Sequence, residues 1–180
     1  MEAKKHLLQI WQYIIINVSR YRSRTTMIQN GHDKHKSNNV DQKQDDSLAQ
    51  IAQQHEIQME QHGFVVHLVL PSEESGWANY HTHGLDISRN HLDFQIVLPI
   101  QPETAHAIFW SLTRRIDAGE VFHDNELIDD VIQSYPIKLL KTKEFDREIF
   151  RILLPDANGL FADDNECDLL YAQQTTAVVE

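Results

Sequence analysis

The spacing of apolar residues changes along this chain, and each change marks an element. After three good N-caps, Asp45, Asp46 and Ser47, the residues Leu48, Ile51, Ala52, His55 and Met59 recur at helical intervals. They predict a helix of about four turns that Gly63 closes in a left-handed turn. Phe64 to Leu70 is apolar at nearly every position, which predicts a strand covered on both faces, and Pro71 with the Ser-Glu-Glu-Ser-Gly run ends it. The period then becomes two. Trp77, Asn79, His81 and His83 alternate with Ala78, Tyr80 and Thr82, and His91, Asp93, Gln95 and Val97 alternate with Leu92, Phe94, Ile96 and Leu98. The short loop Gly84 to Asn90 lets these strands return antiparallel, and a register with His83 opposite His91 puts His81 opposite Asp93, Asn79 opposite Gln95 and Tyr80 beside Phe94.

Pro99 and Pro102 end that strand and start a helix with the core stripe Ala105, Ile108, Phe109, Leu112 and Ile116, terminated at Gly119. Leu127 to Ile132 fits a strand or a helical turn. Ile137 to Lys143 and Glu148 to Leu154 predict a second hairpin around Glu144 to Arg147, and Pro155 to Gly159 is a turn. The class is therefore α+β, a mainly antiparallel sheet packed against two or three helices.

The N-terminal part follows other rules. Residues 1–21 read as an amphipathic helix, apolar from Leu7 to Val18 and flanked by Lys4, Lys5, Arg20, Arg22 and Arg24. Gln9, Gln12 and Asn17 interrupt it, so it is too short and too polar to span a bilayer, which leaves residues 5–21 to lie on a membrane surface or on this protein's own domain. No small-residue cleavage pattern follows, as a signal peptide requires. The abrupt change after it also admits translation from Met27, with residues 1–26 an upstream extension. Residues 22–46 are almost devoid of large apolar side chains and predict a flexible linker, 47–174 a single domain, and 175–180 a loose tail.

Charge sharpens this division. Residues 1–43 hold eight Lys or Arg against three acids, and 44–180 hold eight against twenty-four, within a net charge of −11. An acidic body repels phosphate backbones, so nucleic acid is not expected as a partner of the main domain, whereas a basic protein is. The one cysteine, Cys167, cannot form an internal disulfide, which fits a reducing cytoplasm. Its acidic neighbours also make it a poor nucleophile.

Two functional classes survive. The first is a non-catalytic interaction module such as an immunity-type, toxin-neutralising protein, which needs no cofactor. Its surface is the helix face of His106, Trp110 and Arg114, spaced four residues apart, and Trp and Arg are frequent at hot spots. That face equally suits packing under a neighbouring helix of the same chain. The second class is a metal-dependent hydrolase. His81, His83, His91 and Asp93 on one sheet face would hold Zn or Fe, with Asp93 a fourth ligand or the general base and His67 orienting a ligand from the neighbouring strand. Such residues also commonly line the solvated face of a two-faced sheet.

Gly76-Trp77, Thr82-His83-Gly84-Leu85, Asn90-His91-Leu92-Asp93, Ile96-Val97-Leu98-Pro99, Pro102-Glu103-Thr104-Ala105 and Ala118-Gly119-Glu120 together resemble a small bacterial family, the DUF4262-like domains of unknown function. The resemblance spans roughly residues 62–174. It implies a compact cytoplasmic α+β domain and no assigned reaction.

Overall fold

The structure, a computed structural model, describes residues 37–69 and 78–175, with side chains from residue 49 onward. The expected helix over 1–21, a start at Met27, the linker as far as residue 36, Trp77 and residues 176–180 lie outside the described residues. The chain divides into two compact units, 1–54 and 55–180. Helix α1, Ser37–His62, starts in the first, and its last turns from His55 belong to the second. It begins at Ser37 and not at Ser47, so the expected linker over 22–46 is helical in its last part.

The second unit carries β1 (Val65–Val69), β2 (Asn79–His83), α2 (Leu85–Arg89), β3 (Asp93–Ile96), α3 (Pro102–Asp117), β4 (Leu127–Ile128), β5 (Ile137–Glu144), β6 (Arg147–Leu153) and α4 (Leu169–Ala172). The six strands form one sheet in the order β1-β2-β3-β6-β5-β4. Every pairing is antiparallel except β3 with β6, which run parallel with Phe94 opposite Phe150 and Gln95 opposite Arg151. The sheet is thus two antiparallel blocks joined along a parallel seam. That seam decides what surrounds the histidines.

One face is apolar because the period-two residues Tyr80, Phe94, Ile96, Leu139, Phe150 and Ile152 all point to it, and Ala105, Ile108, Phe109 and Leu112 of α3 close over them. The helix is the one its sequence signals demand. Pro102 opens it, where a missing N–H costs nothing, and Gly119 leaves it at φ +92°. Burying side chains of this size contributes about 1.5–3 kcal/mol each, so this layer supplies most of the driving force.

Two expectations for the site half are corrected. The strand from Phe64 to Leu70 was expected to be covered on both faces, but β1 is an edge strand whose Leu68 is exposed. The register between β2 and β3 pairs Tyr80 with Ile96 and His81 with Gln95, two residues away from the expected pairing. The reason is local. Gly84 to Asn90 is no open loop but the one-turn helix α2, and Asn90 leaves it in the left-handed region at φ 52°. Strand geometry resumes only at Asp93, so a slip of two residues keeps every side chain on its face while moving it along the partner.

Gly84 secures the end of β2. It sits at φ +108°, and a Cβ there would lie 2.8 Å from Gly63 O and 2.8 Å from the Met59 methyl. Only glycine fits so close to another backbone. No helix among the described residues is long and apolar enough to cross a membrane.

Candidate metal centre on the polar face of the sheet

Alternation sends Asn79, His81 and His83 to the face opposite α3. There they are buried, not solvated: His81 is 1% exposed and His83 7%. Antiparallel pairing of β1 with β2 places His67, itself 7% exposed, directly opposite His81. The three rings meet edge to face, with centroids 5.4 Å apart for His67 and His81, 4.7 Å for His67 and His83, and 4.7 Å for His81 and His83. One ring nitrogen from each lies within 4.8 Å of the other two. From the last turns of α1, His55 stacks on His67 at 4.5 Å.

The second nitrogens of two rings are committed. His81 Nδ1 lies 3.3 Å from Asn79 Oδ1 and 3.9 Å from Glu144 Oε1, both acceptors, so it carries the ring proton. His83 Nδ1 instead accepts a hydrogen bond from Arg147 Nη1 at 2.7 Å. Nε2 of His67, His81 and His83 has no hydrogen-bond partner among the described residues. Three buried, unpartnered imidazole nitrogens in one cluster are unusual, since buried polar atoms are nearly always satisfied.

Charged and amide side chains from the parallel seam frame the rings. Arg147 Nη1 also donates to Asp93 Oδ2 at 2.9 Å, and Arg147 Nη2 to Glu144 Oε2 at 2.6 Å. Asp93 Oδ1 accepts from the Thr82 hydroxyl at 2.9 Å and from the Leu85 N–H at 3.2 Å. Gln95 Nε2 donates to Glu144 Oε1 and Asn79 Oδ1, while Gln95 Oε1 accepts from Arg151 Nε. Arg151 in turn donates to the carbonyl of Gln174, whose side chain grips both the N–H and the C=O of Leu154. A continuous network runs from the C-terminal turn to His81.

Burial decides the protonation states. Desolvation lowers His81 to about 4, with Glu144 opposing and Arg147 reinforcing it. It lowers His67 to about 2, helped by His81, His55 and Arg147, and it holds His83 well below the usual imidazole value. All three rings are neutral at pH 7, the form a metal requires. Burial raises the Asp93 carboxyl to about 6 against the pull of Arg147, Thr82 and Leu85. Burial also pushes Glu144 up, but His81, Arg147 and the bonds from Arg147 and Asn79 outweigh it, and its pKa lies below the ordinary value.

The residues singled out by sequence fall into three groups. His81, His83 and Asp93 share the face as expected, and His67 converges with the two histidines directly. His91 is elsewhere: residues 91 and 92 precede the strand, and its ring packs on Phe94, Phe150 and Phe122 at 5.2, 5.7 and 5.6 Å. Its Nδ1 donates to Leu92 O. The expected opposition of His83 and His91 is therefore absent.

On α3, Trp110 donates to His106 Nε2 at 2.9 Å and packs edge-on against His62 and Phe64, with Arg114 exposed beyond them. A cavity of about 200 Å³ lies between Gln58, His62, Phe64, Val66, His106 and Trp110. Glu144, Arg147 and Arg151 were missed. Their signal, period two on the second hairpin, becomes useful only once that hairpin is known to lie beside β3. Cys167 is buried, and burial with Asp156, Asp164, Asp168 and Asp163 pushes its thiol up.

A mixed sheet with one apolar and one buried, histidine-rich face defines an α+β domain with a candidate three-histidine centre. The family model for DUF4262, a domain of unknown function, matches residues 58–168, and the chain belongs to that family. No curated protein and no solved structure matches it.

Proposed function

We propose that the domain is a metal-dependent hydrolase, with His67, His81 and His83 as ligands to Zn or Fe. One observation carries this reading: three neutral, deeply buried imidazoles with unpartnered Nε2 atoms, each offering a nitrogen within 4.8 Å of the other two. Three protein ligands leave a position for water, and a bound metal would lower the pKa of that water to near neutrality. Asp93, whose carboxyl burial raises to about 6, stands beside Arg147 on the Nδ1 side of His83, where it would orient that ring. Glu144 holds His81 in orientation beside Asn79. Tetrahedral coordination with bonds of about 2.1 Å would bring the nitrogens to roughly 3.4 Å apart, a modest rotation of each ring.

A bacterial cytoplasmic interaction module, such as an immunity-type protein with a basic partner, is the weaker reading. It rests on the acidic body and on His106 and Arg114, both exposed. Trp110, which would anchor that face, is engaged by His62 and Phe64 of the same chain.

Elemental analysis of the purified protein tests the proposal, with about one equivalent of Zn or Fe expected, lost in His81→Ala, together with metal-dependent turnover on a panel of ester and phosphoester substrates. Less than about a tenth of an equivalent, unaltered by the substitution, would overturn it.

A further inference from the structure

Arg147 reaches three groups at once, and one of them is a proposed metal ligand. Its Nη1 donates to both Asp93 Oδ2 and His83 Nδ1, and its Nη2 donates to Glu144 Oε2. A neutral imidazole has one proton. With Nδ1 accepting from a guanidinium, which cannot itself accept, the His83 proton must sit on Nε2. Nε2 is the nitrogen left for a metal, and with a proton there it cannot ligate. His81 is set the opposite way, its Nδ1 facing acceptors and its Nε2 lone pair free.

We propose that Arg147 is a gate on the metal centre: it locks His83 in the tautomer that cannot bind metal, and the centre forms only when the guanidinium leaves. The inference rests on the metal-centre reading and adds its regulation. On metal binding the His83 proton resides on Nδ1, where an Arg147 N–H can no longer point. Asp93 Oδ2, bound until then by the same Nη1 atom, lies on that side of the ring and is the natural acceptor for the new Nδ1–H. A carboxylate behind a ligating histidine is the common arrangement in metal sites.

Charge leads to the same place. Asp93 and Glu144 are balanced by Arg147 and Arg151, so a divalent ion entering with both arginines in position adds unopposed positive charge to a buried cluster. Arg151 is buried and tied to Gln95 and Gln174. Arg147, its side chain 33% exposed at the start of β6, is the cation with solvent to swing into.

The test compares Zn affinity of the intact chain and of Arg147→Met, which removes the donor and the charge at similar length, by competition with a chromophoric chelator. Long-range 1H–15N NMR on the wild-type chain reads the His83 tautomer with and without Zn. The expected result is tighter binding in Arg147→Met by about tenfold or more, the scale of effects from groups behind metal ligands. The His83 proton is expected on Nε2 without Zn and on Nδ1 with it. Equal or weaker binding by Arg147→Met, or a wild-type His83 already protonated on Nδ1 without Zn, overturns the gate and leaves the metal centre standing. Binding by neither protein overturns the centre itself. If Arg147→Met does not fold, the wild-type tautomers decide.

Discussion

Acidifying the metal-free protein should destabilise it well above the pH at which ordinary carboxylates titrate. His81 falls from 6.5 to about 4 on folding, a depression that corresponds to roughly 3 kcal/mol. His67 falls further, to about 2, and His83 is also strongly lowered. A depressed imidazole contributes its full share above 6.5 and loses it as pH falls toward the folded value, because only the unfolded chain takes up the proton. Asp93 works the other way. Its folded pKa of about 6 lies above 3.8, so its favourable contribution is complete below 3.8 and is lost as pH rises through 6. Between pH 6.5 and 5, three imidazoles against one carboxyl leave the unfolded chain about two protons ahead, a slope of roughly 2–3 kcal/mol per pH unit. His55 and His91, lowered by burial, add in the same direction.

Over that interval the loss is about 3–4 kcal/mol, a large share of the roughly 5–15 kcal/mol of an ordinary domain. Urea denaturation followed by circular dichroism, with EDTA present, from pH 7.5 to 5.0 is the assay. His67→Gln should reduce the slope by about 1.4 kcal/mol per pH unit, one proton's worth. Stability that is flat or rises on acidification would refute the claim that these rings are buried and neutral.

Two further substitutions probe the frame around the cluster. Gln174→Ala removes bonds to both backbone groups of Leu154, and a loss of about 1–3 kcal/mol is expected in urea denaturation, with no change in the helical signal of α3. Gly84→Ala forces a Cβ against Gly63 O and Met59 at a left-handed φ, and it should lower stability by at least about 1–3 kcal/mol by the same assay.

The parts of this fold that sequence made legible are those with local causes. Pro102 and Gly119 bracket α3, the second hairpin turns between Glu144 and Arg147, and period-two alternation put His81, His83 and Asp93 on one face. What escaped depends on pairings distant in the chain. Nothing local to Arg147 or Glu144 announces that β6 lies parallel to β3, yet that seam carries both to the histidines. His91 escaped for the opposite reason, a very local one: the left-handed Asn90 and two non-strand residues release it from the alternation that Asp93 obeys. His67 was placed on the right neighbouring strand, but its direct opposition to His81 required the β1–β2 register.

The most direct test of the account is anomalous diffraction at the metal absorption edge from crystals grown with Zn. The account predicts a single peak about 2.0–2.1 Å from one ring nitrogen on each of His67, His81 and His83. A structure with no peak among those three rings, or with the metal held by other residues, would contradict it.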